Sequence, residues 1–110
     1  MGSFTAVARL DDIAPGEVIS AQVDGTWVAI ARDSRGDVHA LEDRCSHDDI
    51  PLSDGDVDGG ALECWKHGSE FDLATGRPRQ LPAVLPVPVY PVRIDDDGTI
   101  AVDVSAPLTF

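Results

Sequence analysis

The sequence predicts an all-β domain, a small sandwich or barrel, and three observations lead to that prediction. No stretch shows the apolar period of an amphipathic helix. Short runs rich in Val, Ile and Ala are separated instead by Asp-Gly, Gly-Gly and Pro turn signals. The length of 110 residues, with 43% hydrophobic and 25% charged residues, is that of one globular domain. We therefore expect a single domain over 1–110.

The first half of the chain contains a strong hairpin signal. An Asp-Gly pair at 24–25 joins the apolar runs 18–23 and 26–31, and such pairs favour two-residue hairpin turns. A Ser-Arg-Gly turn then leads into a third strand, predicted over 38–41. We expect Trp27, which follows the hairpin turn, to pack in the core of this sheet.

A second hairpin is predicted near the end of the chain. The turn 95–98 joins runs at 89–94 and 99–104, in which apolar and polar or small residues alternate as in half-buried strands. The segment 76–91 contains five prolines, which remove backbone donors and fix φ. It predicts a stiff loop that leads to an edge strand. The apolar residues of the second hairpin are Val92, Ile94, Ile100, Val102 and Val104.

The middle segment, 44–60, is polar and rich in turn signals. Leu62 and Phe71 are the apolar residues predicted to anchor it. Its aspartates do not fit a calcium-binding loop, which needs a central Gly and a terminal Glu, so we interpret them as solvated or as part of an acidic docking face. His39, in a predicted strand, is interpreted as an ordinary histidine with a satisfied side chain.

Charge and hydropathy exclude several functions. Twenty acidic and eight basic residues leave a net charge of −12, whereas nucleic acids and anionic membranes require a basic face. No stretch approaches the roughly 20 apolar residues of a membrane span. Two cysteines cannot build a disulfide scaffold, although one Cys45–Cys64 bridge remains possible by count. We expect a cytoplasmic protein.

Both cysteines and two of the three histidines form two tight pairs. Cys45 and His47 flank one residue, Cys64 and His67 flank two, and sixteen residues separate the pairs. Each pair lies in a predicted turn between strands, so two facing loops would offer two thiolates and two imidazoles. That ligand set suits zinc or an iron–sulfur cluster. If the cysteines bound one iron and the histidines another, the site would be a [2Fe–2S] centre with mixed ligands.

This pattern, in an acidic all-β chain of this size, resembles the Rieske-type ferredoxins over nearly its whole length. The resemblance implies an antiparallel β-sandwich with a small cluster-binding subdomain, at about 43–83, formed by two loops. It implies that Cys45 and Cys64 bind one iron of a [2Fe–2S] cluster and that His47 and His67 bind the other through Nδ1. Cys45 and Cys64 would bind as thiolates, and the Nε2 edges of His47 and His67 would lie near solvent.

Further residues take roles from the same resemblance. Gly68 would let the backbone approach the cluster, Trp65 lies between ligands as a shield or a partner contact, and Pro82 lies in the loop that covers the cluster. Ser69 matches a serine that donates a hydrogen bond to a cluster-side sulfur. Phe71 takes the place of a tyrosine that does the same in high-potential members, and the extra cysteines of those members are missing. The resemblance therefore implies a low-potential ferredoxin.

The implied function is one-electron transfer without catalysis by this chain. As in similar proteins, an NAD(P)H-dependent flavoprotein reductase would reduce it, and a terminal Rieske non-haem iron oxygenase would receive the electrons. Two alternatives remain open. The chain could be a regulatory or accessory subunit in an iron–sulfur assembly or nitrite-reduction setting, or a zinc-structured interaction domain.

Overall fold

The computed structural model describes residues 4–45, 50–65, 68–80 and 85–108. These ranges contain two single-turn 3₁₀ helices, at Leu10–Asp12 and Leu52–Asp54, and none of their helical segments is long and apolar enough to cross a membrane. The same ranges form antiparallel sheets built from β1 (Thr5–Arg9), β2 (Val18–Val23), β3 (Thr26–Arg32), β4 (Val38–Glu42), β5 (Asp56–Asp58), β6 (Ala61–Glu63), β7 (Glu70–Asp72), β8 (Pro78–Gln80), β9 (Val89–Tyr90), β10 (Val92–Ile94) and β11 (Thr99–Val102). The all-β prediction is confirmed.

Two of the three sheets form a sandwich. A three-stranded sheet has the order β1-β11-β10, and a four-stranded sheet has the order β2-β3-β4-β9. Both contribute to one apolar core, which fixes their inner faces against each other. The buried residues of this core are Ile13, Val23, Val28, Ile30, Ala40, Tyr90, Ile100 and Val102.

The third sheet, of order β5-β6-β7-β8, covers the opposite face of the four-stranded sheet. Successive side chains of a strand point to opposite faces, so Val28 and Ile30 enter the first core while Ala29 and Ala31 enter a second one. Both faces of β3 are thus buried, which explains its continuous apolar run. The small Ala side chains allow the third sheet to approach. The second core consists of Ala29, Ala31, Leu41, Cys45, Leu52, Leu62, Cys64, Phe71, Leu73, Val87 and Val89.

The first hairpin forms as predicted. Val23 pairs with Thr26, and Asp24 and Gly25 both have positive φ, 49° and 82°, as a tight two-residue turn requires. Leu62 and Phe71 are fully buried anchors, also as predicted.

The predicted strand over 89–94 is wrong in one respect. Pro91 divides it, because its nitrogen has no hydrogen to donate to a sheet. The part before the proline, β9, pairs with β4, and the part after it, β10, pairs with β11. Ile94, predicted to be half-buried, is 44% exposed at the outer edge. The proline-rich segment also contains β8, which was not predicted and pairs with β7 at a sheet edge.

The prediction that Trp27 packs in the core is also wrong, because its side chain is 56% exposed. Alternation along β3 places Trp27 on the face of Ala29 and Ala31. It lies, however, at the hairpin end of the strand, where its neighbours across two surface hollows include Ile50 and Pro51 rather than the strands of the third sheet. Position along the strand, not its face, decides the exposure.

Candidate metal centre

Two loops of equal length begin at the two cysteines. The N–H of Cys45, just after β4, donates a hydrogen bond to the carbonyl of Ile50 over 2.9 Å. The N–H of Cys64, just after β6, donates to the carbonyl of Ser69 over 2.7 Å. In both loops a cysteine is joined to the fifth residue after it, so each loop is closed at its base. Residues 46–49 and 66–67, which include His47 and His67, lie outside the described residues, as does Pro82.

The two thiols share one buried environment. Cys45 and Cys64 are each 1% exposed, and no disulfide joins them. Both belong to the second core, with Leu52, Leu62 and Phe71. Paired loops that bring two thiols into one apolar core fit a soft metal centre, because thiolates buried among apolar side chains need a cation to balance their charge.

Comparison with protein families decides which centre this is. The Rieske [2Fe-2S] domain matches residues 3–91 of the chain. The chain belongs to the Rieske family. Its cofactor is therefore a [2Fe–2S] cluster, as the resemblance to Rieske-type ferredoxins implied, and a purely zinc-structured domain is not supported.

Several curated relatives of this Rieske domain are ferredoxin components of dioxygenase systems. It is 34% identical over 89 residues to the ferredoxin component of the naphthalene 1,2-dioxygenase/salicylate 5-hydroxylase systems of Ralstonia sp., which covers 81% of this chain and 85% of the relative. It is 35% identical over 94 residues to the biphenyl dioxygenase ferredoxin subunit of Pseudomonas sp. strain KKS102, covering 84% and 85%. Like these relatives, the chain is an electron-transfer protein rather than an oxygenase.

Solved structures of similar fold include ferredoxins and a protein assigned to a reductase. The ferredoxin of carbazole 1,9a-dioxygenase from Nocardioides aromaticivorans IC177 has a TM-score of 0.85 and 37% identity, covering 91% of this chain and 96% of that one. A Mycobacterium tuberculosis protein assigned as an NADH-dependent nitrite reductase small subunit has a TM-score of 0.86 and 28% identity, covering 96% and 98%. A complex of reduced oxygenase and oxidised ferredoxin of carbazole 1,9a-dioxygenase has a TM-score of 0.83 and 30% identity, covering 91% and 92%.

The described residues of the second loop show why the sequence has a glycine at position 68. Gly68 has a φ of 74°, and its N–H donates to the carbonyl of Cys64 over 3.0 Å. A Cβ at this position would meet no described atom within 4 Å, so the backbone conformation, and not crowding within the chain, favours glycine. Trp65 is 57% exposed, and Ser69 is fully buried. Of the two roles left open for Trp65, its exposure supports contact with a partner.

Phe71 lies in β7, fully buried in the second core with both cysteines. It pairs in register with Leu62 on β6 and with Pro78 on β8. The structure thus brings Cys45, Cys64 and Phe71 into one cluster of side chains, as expected if Phe71 lies close to the thiolate ligands.

Sequence reasoning missed Asp43, which supports the first loop. Its carboxylate is buried and accepts hydrogen bonds from Ser20 Oγ, Ser53 Oγ and Ser53 N–H, each over 2.7 Å. These bonds connect β2 and the turn after the loop to a residue two positions before Cys45. Asp43 stands between Glu42 and Arg44, in a charged run that is typical of a solvated turn, so no local signal marks it as buried.

The remaining charged groups with clear roles are structural. Asp72 is half-buried at the end of β7; burial raises its pKa, but the Arg79 guanidinium, 2.7 Å away, and the N–H groups of Thr75 and Ala74 together lower the pKa below its ordinary value. His39 Nε2 lies 2.9 Å from Asp33 Oδ2, so its satisfied character is confirmed. Asp54, Asp56 and Asp58, the described aspartates of the middle segment that were predicted to be solvated, are exposed.

Proposed function

We propose that this chain carries single electrons from an NAD(P)H-dependent flavoprotein reductase to a terminal Rieske non-haem iron oxygenase. The match to ferredoxin components of dioxygenase systems, over 81% of this chain and 85% of a relative, carries the proposal. The resemblance to a ferredoxin held in complex with an oxygenase supports the second half of the route. The bound cluster supplies one-electron chemistry, and the chain supplies the ligands, the apolar enclosure and the docking surface.

The ligands we propose are Cys45 and Cys64 for one iron and His47 and His67 for the other. Two thiolates balance the two positive charges of an oxidised cluster, so an added electron meets a neutral site. Four thiolates would leave that site doubly negative and harder to reduce. Burial of both cysteines, each 1% exposed, supports their place on the inner side. The sequence spacing alone supports the histidines.

The loops and their supporting residues would form a subdomain at about 43–83. We propose that Gly68 shapes the second loop, that Ser69 donates to a sulfur, and that Trp65 and Pro82 limit solvent access and meet the partner. Phe71 adds apolar surroundings without a hydroxyl donor. The closing bonds of both loops, at Cys45 and at Cys64, would hold the ligands in place between oxidation states, so that little rearrangement accompanies electron transfer.

Spectra of the purified holoprotein test the ligand set. We expect a visible spectrum and, after reduction, an EPR signal of a [2Fe–2S] centre with mixed histidine and cysteine ligands. Cys45→Ser, Cys64→Ser, His47→Ala and His67→Ala should each abolish or alter that signal. His39→Ala is the matched control, because His39 contacts Asp33 and should leave the EPR signal unchanged. A colourless protein after anaerobic reconstitution, or loss of the signal on changing His39 alone, would contradict the assignment.

A second candidate function has one observation in its favour. The nitrite reductase small subunit covers 96% of this chain at a TM-score of 0.86, which fits an accessory subunit of a larger reductase. The two roles differ in turnover. A carrier is reduced by a separate flavoprotein and reoxidised by an oxygenase many times, whereas a fixed subunit exchanges electrons only within its own complex. Stopped-flow absorbance with a flavoprotein reductase and an oxygenase distinguishes them.

We also propose a cytoplasmic location. Both cysteines of the sequence are assigned to the cluster, which leaves none for a disulfide and suits a reducing compartment. Cell fractionation followed by immunoblotting tests this, and recovery in the membrane or exported fraction would contradict it.

A further inference from the structure

Trp27 is exposed where a tryptophan is expected to be buried. Tryptophan has a large apolar surface, and burying it stabilises a fold more than burying most residues does. Here the fully buried side chains are smaller, such as Phe71, Ile30 and Leu62, while Trp27 remains 56% exposed. Exposed tryptophans are enriched at the centres of protein–protein contacts.

Two hollows of the surface lie on either side of Trp27. One has a volume of about 340 Å³ and is bounded by the hairpin turn, the end of β4 and the exit of the first loop. The other has a volume of about 350 Å³ and includes Ser20, Ser53 and Asp54. Both include Trp27, Asp43 and Pro51, so the indole forms a ridge between two depressions. A partner with a planar group stacked on the indole could place its neighbouring side chains or backbone in both hollows.

The charges around the ridge are mostly negative. Asp54 lines the second hollow, and Asp43 borders both. Glu42 also borders the first hollow, but it pairs with Val28 of the first core, so its side chain lies on the face of the sheet opposite to Trp27. The Asp43 carboxylate is already hydrogen-bonded to Ser20 and Ser53, so it adds charge but not a free acceptor. Among the described residues that line the two hollows, Arg44 is the one cation. Two carboxylates beside an exposed indole favour a ligand that is both cationic and flat.

The ridge is connected to the first cysteine loop by backbone. The N–H of Asp43 donates to the carbonyl of Trp27 over 2.9 Å, and Cys45 follows Asp43 by two residues. The carbonyl of Ile50, which lines the first hollow, accepts the bond that closes the loop. A partner seated on Trp27 would therefore lie beside the base of the loop that begins at a buried thiol.

We propose that Trp27 and Asp54 form a docking surface for an arginine-bearing segment of the redox partner. The guanidinium group stacks on the indole, and the exposed carboxylate of Asp54 pairs with it. Arginine fits better than lysine because its planar, weakly hydrated cation stacks on aromatic faces. That the partner is a redox protein rests on the proposed function. The preference of the surface for an arginine side chain does not depend on that function.

Calorimetric titration of the holoprotein with an acetylated hexa-arginine amide, at low ionic strength, tests the surface. Trp27→Ala should raise the Kd about 5-fold or more, and Trp27→Phe should raise it less, because a smaller aromatic face remains. Ile94→Ala is the control for loss of an exposed apolar side chain away from the two hollows, and it should leave the Kd within about 2-fold. A hexa-lysine amide should lose less affinity than hexa-arginine in Trp27→Ala.

Asp54→Asn and Asp96→Asn each remove one negative charge, and Asp96 lies in the exposed turn after β10. The first should weaken binding of hexa-arginine more than the second. Equal affinity of Trp27→Ala and the parent protein, or a loss confined to Ile94→Ala, would overturn the docking surface. The visible spectrum of each variant verifies that it is folded and loaded.

Reduction of the cluster by a flavoprotein reductase, measured separately, keeps the two proposals apart. If hexa-arginine binds Trp27→Ala as tightly as the parent protein while the reductase reduces the cluster, the docking surface is wrong and the carrier function is retained. If no reductase reduces the cluster while hexa-arginine binds through Trp27, the carrier function fails and the surface stands.

Discussion

At the residue scale, the side chain at position 71 tests the sequence-based assignment of a low potential. Phe71 is fully buried in the core that contains both cysteines, and it has no hydroxyl to donate to a sulfur. Hydrogen bonds to cluster sulfurs stabilise the more negative, reduced form and raise the potential. The missing hydroxyl therefore favours a lower potential.

Phe71→Tyr should raise the reduction potential. One hydrogen bond is worth about 1 kcal/mol, which corresponds to about 40 mV for a one-electron couple. Potentiometric titration followed by visible absorbance measures the change. Phe4→Tyr adds a hydroxyl at a site that is 37% exposed, outside both cores, and should leave the potential unchanged. A potential unaltered in Phe71→Tyr would count against this account of position 71.

Gly76 is a second residue whose identity has a geometric cause. Its φ is 73°, and a Cβ would lie 2.0 Å from the carbonyl oxygen of Val87. The same residue accepts a hydrogen bond from the Val87 N–H over 2.9 Å. The bond between Gly76 and Val87 therefore holds the later part of the proline-rich segment, 76–91, against the third sheet.

Gly76→Ala should lower the free energy of unfolding by about 3 kcal/mol or more, because a backbone clash adds to the cost of a positive φ. Gly59→Ala is the matched control: its φ is 63°, but a Cβ there meets nothing within 4 Å, so about 1 kcal/mol is expected. Urea unfolding followed by far-UV circular dichroism measures both. Equal losses in the two variants would show that the close approach to Val87 is relaxed at little cost.

At the scale of elements, Asp43 joins β2, the end of β4 and the turn after the first loop. Three hydrogen bonds of 2.7 Å reach its carboxylate from Ser20 and Ser53. Bonds to a buried charged group are stronger than those between neutral groups, and their loss leaves buried donors without an acceptor.

Asp43→Ala should cost about 3 kcal/mol of unfolding free energy and should also lower the temperature at which the cluster absorbance is lost. Asp54→Ala, an exposed change in the neighbouring 3₁₀ turn, should cost less than about 0.5 kcal/mol. Thermal and urea unfolding of the holoprotein give both quantities. If the two variants proved equally stable, the support assigned to Asp43 would be wrong.

The turn between β3 and β4 depends on the buried carboxylate of Asp33. Burial raises the pKa of Asp33, but hydrogen bonds from His39 and from the N–H groups of Asp37 and Arg35 together lower the pKa below its ordinary value of 3.8. A carboxyl whose folded-state pKa is depressed stabilises the fold above its unfolded pKa, and that stability is lost as pH falls through the folded value.

Asp33→Asn should therefore reduce stability at pH 7 and lessen the fall in stability that the parent protein shows below about pH 4. Urea unfolding midpoints between pH 7 and pH 2.5 measure the difference. If the urea midpoints of the two proteins changed with pH in parallel, Asp33 would not contribute to the loss of stability at acidic pH.

At the scale of the whole molecule, the excess of 20 acidic over 8 basic residues forms a field that can attract a partner. Part of it is concentrated on the third sheet, where the register pairs Asp56 with Glu63 and Glu63 with Glu70. Like charges directly opposite one another destabilise a sheet. This row, beside the base of the second loop, supports a docking role for the negative charge.

Reduction of the cluster by a flavoprotein reductase should slow with salt. Raising ionic strength from about 0.01 M to about 0.15 M shortens the screening length from about 30 Å to about 8 Å, and the second-order rate constant should fall about tenfold or more. A Glu63→Gln/Glu70→Gln variant should show a shallower dependence. Stopped-flow absorbance measures the rates, and a rate insensitive to salt would refute electrostatic docking.

Much of the fold was predictable because its signals are local. The turn at Asp24 and Gly25 depends on two residues that tolerate positive φ, and it fixes the register of β2 and β3. Pro91 is also a local signal, because a proline has no N–H to donate to a sheet. Sequence alone, however, did not show that the strands before and after it join different sheets. That choice depends on which neighbours remain available after the chain has packed.

The sequence by itself determined two closely spaced Cys/His pairs that suit zinc or an iron–sulfur cluster, and the match of residues 3–91 to the Rieske [2Fe-2S] domain decided between them. It also determined the hairpins and the acidic surface. Only the tertiary structure decided that both faces of β3 are buried, that Asp43 is an interior support and that Trp27 remains exposed. These properties depend on which distant segments cover a residue, and coverage arises from contacts between parts of the chain that are far apart in sequence.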